Sequence, residues 1–192
     1  MIILGIDPGT AVTGYGVLSR ADGGTAALLE CGVVRTSAKA PLAERLREIH
    51  QGVDELIERH RPQVVAVEGV FYGKNVRTAV VLGHARGAVL VAASLRGVEV
   101  VEYPASEVKS AIVGAGRATK EQVQYMVQKL LRLREPPQPH DAADGVAIAL
   151  CHCFRGFGLP RGTPLAVSAP ARRGPDPLEQ KLRMYAAARP AR

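Results

Sequence analysis

An α/β fold, built as a five-stranded mixed sheet with helices on both faces, is what the order of hydrophobic periods predicts for this chain of 192 residues. Three observations carry that prediction. Three short apolar runs open the chain with turn residues between them. From Pro41 the apolar period changes to three or four residues. After that point helical and strand-like segments alternate, and nothing repeats internally.

The first strand is Ile2 to Asp7, almost wholly apolar, as a strand covered on both faces must be. The second and third, Gly14 to Ser19 and Ala26 to Thr36, flank the turn signal Asp22-Gly23-Gly24. Leu42, Leu46, Ile49, Val53, Leu56 and Ile57 then mark an amphipathic helix that Pro62 ends. Gln63 to Val67 is a β-branched run leading into Glu68-Gly69. A helix from Val76 to Leu95 follows, with Ala79, Gly83 and Gly87 four apart as a ridge of small side chains. That ridge serves either packing on the sheet or a like helix of a second subunit. Val98 to Tyr103 makes the fifth strand, and Pro104 opens a short helix to Val113. Thr119-Lys120-Glu121-Gln122 has the form of a capping box and starts a helix with Val123, Met126, Val127, Leu130 and Leu131 on one face. After Pro136, Pro137 and Pro139, a last helix runs from His140 or Asp141 to Phe154.

Residues 1–157 are expected to form one folded domain, and 158–192 a basic Pro/Ala/Arg-rich tail that is largely disordered. The apolar fraction of 47% is ample for a core. The net charge of +7 points to nucleic acid less than it first promises. Beyond Pro160 seven Lys/Arg face only Asp176 and Glu179, so most of the excess sits in the tail. The stretch from Ala79 to Leu95, interrupted by His84 and Arg86, is judged too polar to cross a membrane, and the N-terminus has no cleavable signal. A soluble, cytoplasmic protein without membrane contact is expected. Cys151-His152-Cys153 lies in a helix, where side chains two apart diverge by about 200°, so it reads as a chance cluster rather than a zinc site.

The chemistry rests on four acids. Asp7 and Glu68 each end an apolar strand, which puts both at the carboxyl edge where open α/β sheets bind ligands. An Asx-turn is the structural alternative for Asp7. Asp141 and Asp144 share one helical face, and helix capping is the alternative for that pair. Four converging carboxylates repel unless cations bind between them, and an all-oxygen set selects magnesium or manganese. Two such ions about 4 Å apart hold a phosphodiester for hydrolysis without a covalent enzyme intermediate.

The ordered motifs resemble the RuvC family of Holliday junction resolvases. They are Ile6-Asp7-Pro8-Gly9-Thr10 with Thr13-Gly14-Tyr15-Gly16, Glu68-Gly69-Val70-Phe71 with Lys74-Asn75, Leu82 to Gly87, Tyr103-Pro104 to Lys109 with Val113-Gly114, Lys120, and Asp141-Ala142-Ala143-Asp144. The resemblance spans residues 1 to 155 in order. It implies a ribonuclease H-like fold and a homodimer with two Mg2+ ions (or Mn2+) per subunit. It also implies paired symmetric nicking of four-way junction DNA to leave 5′-phosphates, in homologous recombination and repair, with the RuvA–RuvB branch-migration complex as partner. Carried over, Asp7, Glu68, Asp141 and Asp144 are the catalytic metal ligands. Phe71 matches an aromatic that wedges among bases, with Tyr72 beside it. Lys109 and Lys120 match lysines near the scissile phosphate. Lys74, Asn75, Arg77 and Arg86 are backbone-contact candidates. The chain departs from many relatives at Gly69, and His140 is a candidate second-shell base or proton shuttle.

Three rivals are weaker. A kinase or actin-like ATPase needs a second domain and a second phosphate loop. A non-catalytic junction binder does not need four acids. A YqgF-type nuclease shares the acids without the Phe71 loop and the small-residue helix.

Overall fold

The structure is a computed structural model that describes residues 1–21, 26–69 and 76–155, with side chains from Thr78 onward in the last stretch. Its elements are β1 (Ile2–Asp7), β2 (Val12–Arg20), β3 (Ala26–Arg35), α1 (Leu42–His60), β4 (Val64–Glu68), α2 (Val76–Leu95), β5 (Glu99–Tyr103), α3 (Ala105–Val113), α4 (Lys120–Leu130) and α5 (His140–Arg155). The sheet order is β3-β2-β1-β4-β5. β1 pairs antiparallel with β2 and parallel with β4, and β4 pairs parallel with β5. The expected five-stranded mixed sheet is present, with edges within two residues of those read from the sequence. The Asp22-Gly23-Gly24 turn and the tail from residue 158 lie outside the described residues.

Strand alternation divides the core in two. Leu4, Ile6, Val17, Val65 and Val67 point to the face covered by α1 and α2. Ile3, Leu18, Ala66 and Tyr103 point to the face covered by α3, α4 and α5. Gly5 and Asp7 share the parity of Ile3, and Glu68 shares that of Ala66, so both acids face the α5 side. Each sits at the carboxyl end of its strand, where apolar cover gives way to an edge.

Helix α5 reaches that edge because glycines let it lie directly on the sheet. A Cβ on Gly14 would stand 1.9 Å from the Asp141 carbonyl oxygen, and one on Gly16 2.5 Å from Val146 Cα. From the helix side, a Cβ on Gly145 would stand 2.5 Å from Tyr15 Cα. Gly14 is also the register partner of Asp7. The same close approach therefore lays the first turn of α5 over Asp7. The proline-rich segment leading there is held by α4, whose buried Gln124 donates Nε2 to the Pro137 carbonyl at 2.8 Å.

Helix α2 corrects one expectation and removes one alternative. Thr78–Leu95 is long and apolar enough to cross a membrane by length and composition, with mean hydropathy 1.5, despite His84 and Arg86. Its buried face, Ala85, Val89, Ala92 and Ala93, packs against α1 and the sheet. Its other face is open: Val80 and Val91 are about half exposed, and a Cβ on Gly83 or Gly87 would meet nothing within 4 Å. The small ridge therefore does not pack on the sheet. Arg86, a candidate DNA contact, is ion-paired with Glu102 of β5.

Candidate active site

Asp7, Asp141 and Asp144 converge. Each offers a carboxylate oxygen, and these oxygens lie within 4.8 Å of one another. Glu68 joins them through a side-chain hydrogen bond with Asp7. The Asp7 carboxyl is pushed up to about 9 by burial first, then by the bond to and charge of Glu68 and the charge of Asp144, with Lys120 opposing. Oxygen-only donors at this spacing suit a hard divalent cation.

A cavity of about 160 Å³ opens beside the acids, lined by Asp7, Glu68, Asp144, Lys109 and Lys120 on an apolar floor that includes Val108, Val123 and Ile148. Lys120 owes its place to the first turn of α4. Thr119 Oγ1 accepts from the Gln122 amide at 3.3 Å, and Gln122 Oε1 accepts from the Thr119 amide at 2.9 Å, so the predicted capping box is formed. Lys120 Nζ then donates to Asp144 Oδ2 at 2.6 Å, and that bond raises its pKa. Lys109 reaches the cavity because Pro104 starts α3 directly at the end of β5.

The structure thus brings together the four acids and both lysines. Helix α5 begins at His140, so Asp141 lies in its first turn rather than capping it, and Asp144 lies beyond that turn, paired with Lys120. His140 is exposed at the start of α5 and is not one of the grouped ligands. Phe71, Tyr72, Lys74 and Asn75, and the side chain of Arg77, lie outside the described residues. The Gly69 amide donates to the Tyr103 carbonyl at 2.9 Å, and the loop that follows it lies outside the described residues. The Cys151-His152-Cys153 cluster is buried, and His152 Nδ1 is bonded to the Tyr103 hydroxyl at 2.8 Å. Among the described residues it is not part of any metal-ligand group.

Sequence reasoning missed the glycine bed beneath α5 and the groups that fasten the turn after Asp7. Gly14 and Gly16 stand at alternating positions of one strand, and that alternation was the available signal. The outer fastening groups, Thr36 and Arg45, gave none, because the Thr10 oxygen they share lies 26 and 35 residues away.

A mixed sheet of this order, with acids at the ends of its two central parallel strands and on the helix crossing them, defines a ribonuclease H-like nuclease that uses divalent metal ions. The family model for "Crossover junction endodeoxyribonuclease RuvC" matches residues 3–152. The chain belongs to the RuvC family of crossover junction endodeoxyribonucleases. It is 51% identical over 152 residues to the RuvC of Pelotomaculum thermopropionicum, covering 79% of this chain and 92% of that one. It is 49% identical over 172 residues to the RuvC of Parafrankia sp., covering 90% and 95%. Among solved structures it is similar to Thermus thermophilus RuvC in complex with Holliday junction substrate, at 44% identity and a TM-score of 0.76, covering 81% of this chain and 94% of that one. The yeast mitochondrial Holliday junction resolvase Ydc2, at 14% identity and a TM-score of 0.55 over 81% and 83%, shares the fold.

Proposed function

We propose that this chain resolves four-way (Holliday) junctions as a homodimer, each subunit nicking one of two symmetry-related strands to leave a 5′-phosphate. The observation that carries the reading is the convergence of the Asp7, Asp141 and Asp144 carboxylates within 4.8 Å, beside Glu68 and two lysines. Asp7, Glu68, Asp141 and Asp144 are the ligands in this reading, and Mg2+ is the ion, with Mn2+ as an alternative. When bound, two such ions supply a nucleophilic water and stabilise the leaving oxygen. The chain's own groups do the rest. Lys109 and Lys120 line the same cavity and offer positive charge to the scissile phosphate. The apolar floor limits water around the reacting bond.

Homodimer formation through α2 is supported by its open face, on which, among the described residues, Val80 and Val91 are about half exposed and a Cβ on Gly83 or Gly87 would meet nothing within 4 Å. Phe71 and Tyr72 are assigned to base stacking at the crossover, and Lys74, Asn75 and Arg77 to the backbone, on the family motif. His140 remains a second-shell candidate. Its test is the pH profile of His140→Ala, which must change. The RuvA–RuvB complex is the partner implied by the family. Three free cysteines fit a reducing cytoplasm.

A mobile synthetic four-way junction tests the reading. Paired symmetric nicks in Mg2+ or Mn2+, abolished by EDTA and by Asp7→Asn, are expected. Tight junction binding without cleavage under every divalent metal would overturn it.

A further inference from the structure

The turn that follows Asp7 is fastened at both of its ends. From inside, the buried Thr13 donates Oγ1 to the Gly9 carbonyl at 2.8 Å, and the Gly9 amide donates back to Thr13 Oγ1 at 3.3 Å. From outside, the Thr10 carbonyl accepts from Thr36 Oγ1 at 2.5 Å and from Arg45 Nε at 3.0 Å. Two donors use both lone pairs of that oxygen. Arg45 Nε also lies 3.2 Å from Thr36 Oγ1, and the Thr36 amide donates to the Ala11 carbonyl at 3.1 Å. Arg45 stands in the first turn of α1, on the sheet face opposite α5. Asp7 thus lies under α5 on one side, and the turn that follows it is held by this clamp from the other.

Such a clamp has work to do at this position. Carboxylates brought this close favour spreading apart unless a proton or a cation sits between them, and the turn after Asp7 offers a way to do so. Fixing Thr10 removes that freedom, so the ligand is set before the metal binds. We propose that Arg45, acting with Thr36 through the Thr10 carbonyl, is a positioning residue that sets Asp7 for metal binding. The inference rests on the proposed role of Asp7 as a ligand, and neither Arg45 nor Thr36 touches the reacting atoms in it.

The test is titration of the full-length, metal-free chain with Mn2+ alone, read by the electron paramagnetic resonance of free Mn2+. Junction affinity without metal and cleavage across Mn2+ concentrations are measured alongside. Arg45→Met is expected to weaken Mn2+ binding about tenfold, the lower end for a group that orients a ligand. Thr36→Val is expected to weaken it less. The double variant should fall short of the sum, because both donors meet one oxygen. Arg45→Lys, which keeps a donor on a long stem, should recover part of the loss, and junction affinity should stay at the wild-type value. Cleavage by Arg45→Met should return towards the wild-type rate at high Mn2+. Wild-type Mn2+ affinity in both single variants would overturn the inference while leaving the nuclease reading intact. Loss of junction affinity with unchanged Mn2+ affinity would assign Arg45 to the substrate and overturn it as well. A wild-type chain that binds no Mn2+ would remove the proposed function itself, and this inference with it.

Discussion

Between 3.8 and about 9 the Asp7 carboxyl keeps, in the folded chain, a proton that the unfolded chain has released. The folded state then binds more protons than the unfolded one, so this group makes stability fall as pH rises through that window. The metal-free protein should melt at progressively lower temperature from pH 5 to pH 8, and Asp7→Asn should flatten the slope and raise Tm at neutral pH. Each kcal/mol recovered is worth about 2–4 °C in a chain of this size. Calorimetry in EDTA checks this, and an unchanged slope in Asp7→Asn would refute it. The same proton must leave before a cation can bind, so Mn2+ affinity should climb with pH across the window. Asp7 and Glu68 were legible in the sequence as a pair: an Asx-turn could account for Asp7 alone, but two acids ending two apolar strands point to one sheet edge. Arg45 was not. Its partner oxygen belongs to Thr10, 35 residues earlier, and an arginine in the first turn of an amphipathic helix looks like any solvated side chain.

At the scale of single elements, α5 is the piece on which the pocket depends. Gly145 lies against the backbone of β2, so Gly145→Ala must push the helix off the strand or bend it. Overpacking of this kind costs about 1–3 kcal/mol. The expected result is a modest fall in Tm and a larger proportional fall in junction cleavage, since Asp141 and Asp144 ride on the displaced turn. Cleavage that falls only as far as the folded fraction does would refute that link. The strands and helices were readable from their periods, since each buries one face or one stripe. Which face of α2 meets the sheet was not readable, because the helix is apolar nearly all round and its small-residue ridge fits either role. Only the packing of Ala85, Val89, Ala92 and Ala93 decides it. The membrane judgement failed for the same reason: one histidine and one arginine do not outweigh so many apolar neighbours.

Across the whole molecule, two groups of acids pull stability in opposite directions. Glu30 is pushed up by burial, yet the bonds from His60 and Tyr15 and the charge of Arg59 outweigh this and hold it below its ordinary value. Asp54 is held low by its bond to Arg96. These depressed carboxyls contribute stability above the carboxylate range and lose it as pH falls through their folded values. Asp7 acts in the reverse sense. The metal-free chain should therefore have its stability maximum on the acid side of the usual range of about pH 5–8, and saturating Mg2+ should move it towards neutrality. Melting curves with and without Mg2+ check this, and coincident maxima would count against it. The bed of glycines beneath α5 has a consequence for how the chain is made. The acids come from β1, β4 and α5, and the last of these follows more than 130 residues of other structure. A ribosome that has released only the sheet has released no cutting edge. With Asp141 and Asp144 as ligands, the proposed cutting site is complete only once the final helix has seated on Gly14 and Gly16.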